Sequence, residues 1–141
     1  MVWATYNRQP FLSKAIRQKV FNHIKKNADS KNIHLDHING YFEHVHCLIS
    51  LKSDQNVATI VNLLKGESSF WINKNNLTKS KFAWQDDYFA VSVSQSQIDI
   101  VRKYIHNQQN HHIKITFHQE YKEFISRYDF NKDGISQLKK G

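Results

Sequence analysis

Two periods of apolar and polar positions run through this chain. Between Tyr41 and Leu51 the period is two. Val45, Cys47, Ile49 and Leu51 fall on one side, and His44, His46, Leu48 and Ser50 on the other. That pattern predicts a β-strand with one face made for a core and two imidazoles at the start of the opposite face. Met1 to Tyr6 carries β-favouring Val, Trp, Thr and Tyr and reads as a short first strand, ended by Asn7-Arg8-Gln9-Pro10. The period then changes. Leu12, Ile16, Val20 and Ile24 recur every fourth residue with Ala15 and Phe21 beside them, predicting a helix capped at Ser13 and running to about Asn27. Lys14, Arg17, Lys19, Lys25 and Lys26 make much of its opposite surface basic. Asn32 to Asn39 is a second strand, and Asn39-Gly40 is a hairpin signal, with a turn centred on Tyr41 to Glu43 as the alternative.

Past the His strand, Val57, Ile60, Val61, Leu64, Trp71 and Ile72 share a helical face. Ser53 or Asp54 is the expected cap, and Gly66 weakens the middle. Asn73 to Lys81 has no periodicity and reads as a loop. Asp87 to Val93 alternates and reads as a further strand. Ser94 or Ser96 caps a third helix with Ile98, Val101 and Ile105 as its stripe, running to about Gln109 or beyond. After Thr116, Phe117 to Tyr128 predicts a last helix with Phe117, Tyr121, Phe124 and Ile125 inward. Asn131 to Gly141 has no pattern. The order predicts an α+β fold, the ferredoxin-like β-α-β-β-α-β sandwich, with an added C-terminal helix and a further short helix. Helices should cover the sheet face that carries Val45, Cys47, Ile49 and Leu51. One domain over residues 1–130 and a flexible tail over residues 131–141 are expected.

Composition sharpens the class of partner. The 141 residues are 40% hydrophobic and 13% aromatic, enough for a core, and the formal net charge of +8 favours polyanions, nucleic acid first. Lys74, Lys79 and Lys81 lie near Trp71, Phe82 and Trp84. Such interleaving suits a single strand of nucleic acid, with bases stacked and phosphates neutralised. Ordinary packing of the aromatics beneath exposed lysines fits the pattern equally. Lys65, Arg102 and Lys103 add to the candidate DNA-binding set. The single cysteine, Cys47, excludes an intramolecular disulfide, and its place on the apolar face predicts a small buried side chain. No apolar run approaches the roughly 20 residues of a membrane span, and the N-terminus has no signal-peptide core, so a soluble cytoplasmic protein is expected.

Candidate chemistry comes from combining two elements. Tyr104 and Gln108, four residues apart, share a face at the flank of the third helix's apolar stripe, offset by only about 40°. Two imidazoles and an amide oxygen can hold a hard divalent cation with positions left open for phosphate oxygens. A tyrosine phenol beside it could attack phosphorus. His44-Val45-His46 resembles the His-hydrophobic-His motif, and Tyr104-Ile105-His106-Asn107-Gln108 the Tyr-Ile-x-x-Gln helix, of the single-tyrosine transposases of small bacterial insertion sequences. Val2-Trp3-Ala4-Thr5, Arg8-Gln9-Pro10, Asn39-Gly40, Trp84-Gln85 and His111-His112 to Thr116-Phe117 resemble the same family, whose likeness spans residues 1 to about 128.

The resemblance implies that His44, His46 and Gln108 hold Mg²⁺ or Mn²⁺. It implies that Tyr104 attacks single-stranded DNA to leave a 5′-phosphotyrosine and a free 3′-hydroxyl, with no nucleotide cofactor. It also implies recognition of hairpins at element ends and a homodimer in which the tyrosine helix could serve the partner's His pair. Family members have a longer first strand, so a stunted sheet edge, and with it a decayed copy that only binds hairpins, is the alternative expectation. A zinc hydrolase built on the His pair is a third reading, lacking a clear third ligand. His111 and His112 are expected to contact phosphate or solvent. His106 lies about 160° around the helix from Tyr104, and His23, His34 and His37 suggest only charge and packing. Glu43 is expected to face away from His44, with no part in a metal site.

Overall fold

The computed structural model describes residues 1–108. The helix expected over 117–128, the tail, His111 and His112 lie outside the described residues. The described elements are β1 (Val2–Ala4), α1 (Lys14–Ser30), β2 (His34–Gly40), β3 (His44–Ser50), α2 (Val57–Lys74) and α3 (Ile98–His106). Short 3-10 turns at Tyr6–Arg8 and Gln95–Gln97 follow β1 and precede α3.

α1 starts after an extended Ser13 and buries Val20, Phe21 and Ile24 of the predicted stripe, whereas Ile16 is half-buried, Ala15 is exposed, and the helix runs past Asn27 to Ser30 and buries Ala28. Arg17 is buried with them rather than exposed, its guanidinium lying over the rings of Tyr41 and Phe42. Asn32, at a φ of 62°, turns the chain from α1 into β2. α2 starts later than expected. Asn56, not Ser53 or Asp54, is its cap, and its side chain accepts the Thr59 N–H at 2.9 Å. The helix continues through Gly66, which is exposed with open space around it, so the residue weakens α2 without breaking it. It also takes in Asn73 and Lys74, assigned above to a loop. α3 is shorter than expected, ending at His106.

The sheet order is β1-β3-β2, antiparallel throughout. β1 and β2 are therefore parallel with β3 between them, which is the split βαβ arrangement of the ferredoxin-like plan. The predicted fourth strand over Asp87–Val93 is a correction. Among the described residues it meets β1 through the isolated bridge of Phe89 to Val2, and Trp84, before it, bridges Thr5, just past β1. Three residue steps separate Val2 from Thr5 but five separate Trp84 from Phe89, so two residues loop out and no continuous ladder can form.

α1 and α2 pack on the face carrying Trp3, Val45 and Cys47, with Leu12, Val61, Leu64, Ile72 and Phe82 completing the main core. Trp84 belongs to that core, edge-on to Trp3 and Phe82. α3 lies on the opposite face, where Val101, Tyr104 and Ile105 pack with Leu48, Val91 and Val93. No helix of the described residues is long and apolar enough to cross a membrane.

Candidate active site

The β2–β3 turn sets up the site. Tyr41, Phe42 and Glu43 form the turn, and β3 begins at His44. Gly40 pairs with Val45 across it, and a side chain at Gly40 would collide with the His44 carbonyl oxygen. Close backbone approach, rather than a special φ, is what requires glycine there. His44 and His46 then fall on the α3 side of the sheet, only 4% and 5% exposed, in register with Ala4 and Val2 of β1. Their rings stand nearly perpendicular, 5.1 Å between centroids.

α3 supplies the facing groups. The Tyr104 ring lies edge-on to His46 at 5.5 Å. Gln108, just past the helix end and buried, places Oε1 3.0 Å from His44 Nε2 and donates Nε2–H to the Tyr104 carbonyl at 3.4 Å. Thus His44, His46, Tyr104 and Gln108 meet within one chain, His44 and Gln108 being 64 residues apart in the sequence.

Polar ties hold α3 in place. Arg102 donates twice to Asp36 of β2, Nε–H and an Nη–H at 2.9 Å each, and once to Asp99 at 2.9 Å. Asp36 also meets His37 Nδ1 at 2.6 Å. The register of β2 against β3 slips between Leu35 and His37, leaving Asp36 as the extra residue of a bulge. Asp36 follows the core residue Leu35 and so lies on the α3 side, where it meets Arg102. Hydrogen bonds from Arg102 hold the Asp36 carboxyl down at about 2, against the opposing effect of burial. Near the other end of α3, Asn39 Nδ2–H donates to the His106 carbonyl at 3.0 Å.

Glu43 is the residue that strand reasoning missed. Its Oε1 lies 2.8 Å from His44 Nδ1, and Arg8 reaches the same oxygen at 3.4 Å. The expectation that Glu43 faces away from His44 used strand alternation one residue too early, because Glu43 belongs to the turn. An acidic residue directly before the first His was the available signal.

The donor set fits a hard divalent cation. With Nδ1–H given to Glu43, a neutral His44 presents a lone pair at Nε2, and the Gln108 amide is oriented with its oxygen toward that lone pair. Two acceptors 3.0 Å apart repel unless a second proton or a cation lies between them. Adjacent ligands on an octahedral ion with bonds of about 2.1 Å stand about 3 Å apart. Among the described residues no three His, Cys, Asp or Glu side chains cluster for a metal.

The candidate DNA-binding residues scatter. Lys65 is half-buried and donates to the carbonyls of Gln85 and Asp86 at 2.6 and 3.2 Å, with burial lowering its pKa, so it ties α2 to the segment beside β1. Trp84 is 7% exposed and donates its indole N–H to Ser68 Oγ at 2.9 Å, which leaves no ring face for a base. Arg102 is committed to two carboxylates. Lys74 lies over the exposed Phe70 ring, and Lys79, Lys81 and Lys103 are exposed. Cys47 is buried in the core, and burial pushes its thiol up to about 12.

The family model described as Transposase IS200 like matches residues 1–108. Among solved structures, the chain resembles a protein from Deinococcus radiodurans R1 described as a transposase candidate. The TM-score is 0.53 at 19% identity, over 76% of this chain and 86% of that one. At that identity the likeness speaks for the fold alone. No curated protein matches. On the family match over most of its length, this chain belongs to the IS200-like transposases.

Proposed function

We propose that this transposase cuts and rejoins single-stranded DNA, with Tyr104 as nucleophile and His44, His46 and Gln108 as the seat of Mg²⁺ or Mn²⁺. One observation carries the reading. The imidazoles of β3 and the Tyr104–Gln108 pair of α3 converge in one buried place, His44 to Gln108 at 3.0 Å and His46 to Tyr104 at 5.5 Å between rings. A cation held there would draw charge from the scissile phosphate as the bond changes hands.

In the step itself the Tyr104 oxygen, having given up its proton, bonds to phosphorus. The bond from phosphorus to the 3′-oxygen breaks, and that oxygen takes up a proton. The products are a 5′-phosphotyrosine and a 3′-hydroxyl, so the phosphoester energy is kept and the reverse step joins a new 3′-hydroxyl. Packing against the Val101 and Ile105 stripe shelters Tyr104 from water competing for the phosphotyrosine. The Arg102–Asp36 pair fixes the helix that presents it. Because the residues meet within one chain, a site completed in cis is the reading favoured here. A homodimer, and hairpins as the recognised ends, are carried with the proposal on the family's account.

The test is a protein–DNA adduct that survives denaturant, formed from single-stranded element ends and Mn²⁺. Wild type should give it and Tyr104→Phe should not. Adduct formation that persists in Tyr104→Phe, or its absence from wild type on cognate ends, defeats the proposal.

A further inference from the structure

We infer that Glu43 is a positioning residue: its carboxylate takes the Nδ1–H of His44 and so aims the Nε2 lone pair at Gln108 and the cation seat. The inference rests on the function proposed above, but its test reads metal and ring state separately from chemistry.

Three observations carry it. The first is the contact. An ionised carboxylate only accepts hydrogen bonds, so an oxygen 2.8 Å from Nδ1 requires the proton to be on that nitrogen. A neutral imidazole has one N–H, and fixing it at Nδ1 leaves Nε2 as the ligating atom.

The second is how firmly Glu43 is held. The Thr5 N–H and hydroxyl donate to the Glu43 carbonyl at 2.9 and 3.3 Å. The Leu12 N–H donates to the Phe42 carbonyl at 3.0 Å, and the Tyr41 N–H closes the turn on the His44 carbonyl at 3.0 Å. The buried Arg17 guanidinium sits 4.8 and 4.9 Å from the ring centroids of Tyr41 and Phe42. The region after β1, the entry to α1 and α1 itself thus all grip the turn that carries the acid.

The third is burial. The Glu43 side chain is 12% exposed and that of His44 is 5% exposed. A carboxylate held so far from water costs free energy unless it is paired. Here the pairs are His44 and, more loosely at 3.4 Å, Arg8.

Without the carboxylate, the ring is free to move its proton to Nε2, where the N–H would point at the cation seat. Loss of such an outer partner typically weakens metal affinity by about 10- to 100-fold. The experiment titrates the full chain with Mn²⁺ and follows the electron paramagnetic resonance of the free ion. Long-range ¹H–¹⁵N correlation spectra of the metal-free protein report the His44 tautomer, recorded at a pH where the ring holds one proton. Glu43→Ala should weaken Mn²⁺ binding by about 10- to 100-fold and release His44 from the Nδ1–H tautomer. Glu43→Gln, whose amide oxygen can still accept from Nδ1, should fall between Glu43→Ala and wild type and keep the tautomer.

Equal Mn²⁺ affinity in wild type and a folded Glu43→Ala, or an unchanged tautomer in it, overturns the inference. If Glu43→Ala does not fold, Glu43→Gln decides: a several-fold weaker affinity upholds the inference, and wild-type affinity overturns it. Wild type that binds Mn²⁺ but forms no adduct overturns the proposed function while the positioning result stands. Wild type that binds no Mn²⁺ overturns both.

Discussion

The two faces of β3 are buried to nearly the same degree by different means. Val45 and Cys47 face α1 and α2 within a large apolar cluster that includes Trp3, Phe21, Leu64 and Phe82. His44 and His46, on the other face, are as hidden as Cys47, but α3 brings only Val101, Tyr104 and Ile105 as buried apolar partners. The first face gains from removing hydrocarbon from water. The second holds imidazoles, a phenol and an amide out of water, which costs free energy unless they are paired. Among the described residues, Glu43, Gln108, Arg102 and Asp36 give it polar contacts beside that packing. One strand thus separates the fold's stability from the site's chemistry, each on its own side.

Substitutions can break that division, and the largest expected effect is on chemistry. Tyr104→Phe keeps the ring against His46 and removes only the hydroxyl. Adduct formation should fall by at least about a thousandfold, with the thermal midpoint within about 3 °C of wild type. A large drop in the midpoint would mean that the two faces are not separable.

The next effect is on stability. Val45→Ala, on the core face, should cost about 2 kcal/mol in urea unfolding, and Leu48→Ala, half-buried against α3, about 1 kcal/mol. Equal costs would contradict the comparison.

Smaller still is Asp36→Asn, which loosens α3. The Asp36 carboxyl, at about 2 in the folded chain, lies below its ordinary value of 3.8 because Arg102 donates to it. A depressed folded pKa gives stability that is fully present above about pH 4 and lost as the pH falls through about 2. Asp36→Asn should therefore lower the thermal midpoint near pH 6, by no more than about 5 °C given the exposed partner, and the gap should close toward pH 2. Adduct formation should fall more than stability does, since the pair aligns Tyr104. A gap that widens in acid would refute the assignment.

The gentlest probe is Cys47. Buried on the core face with its thiol pushed up to about 12, it should resist a thiol reagent at pH 8 in the folded chain and react at once in denaturant.

What could be read in the sequence followed from periodicity. The period of two in β3 separated Val45 and Cys47 from His44 and His46, and the four-residue spacing of α1 found its buried stripe. Both patterns hold because each element keeps a regular geometry along its length. Readings went astray where that regularity lapses. Glu43 is in a turn, so alternation did not apply to it. Asp36, the extra residue of a bulge, carried no signal in the sequence for its tie to Arg102. The expected fourth strand meets β1 through an isolated bridge at Phe89 because a short β1 met a longer partner segment. Trp84 looked like a base-stacking ring beside lysines, yet sequence adjacency does not say which residues a neighbouring helix covers.

The sequence by itself determined the strand with two faces, the basic balance, and the kinds of groups available at His44, His46, Tyr104 and Gln108. Only the tertiary structure decided that these groups meet in one chain, and that Glu43 and Asp36 serve them. The reason is physical. Local periodicity fixes which way a side chain leaves its own backbone, but a site whose parts lie 64 residues apart in sequence is closed by where α3 comes to rest on the sheet. That place rests on packing against Leu48, Val91 and Val93 and on hydrogen bonds to Asp36 and from Asn39, partners that the period of α3 does not name.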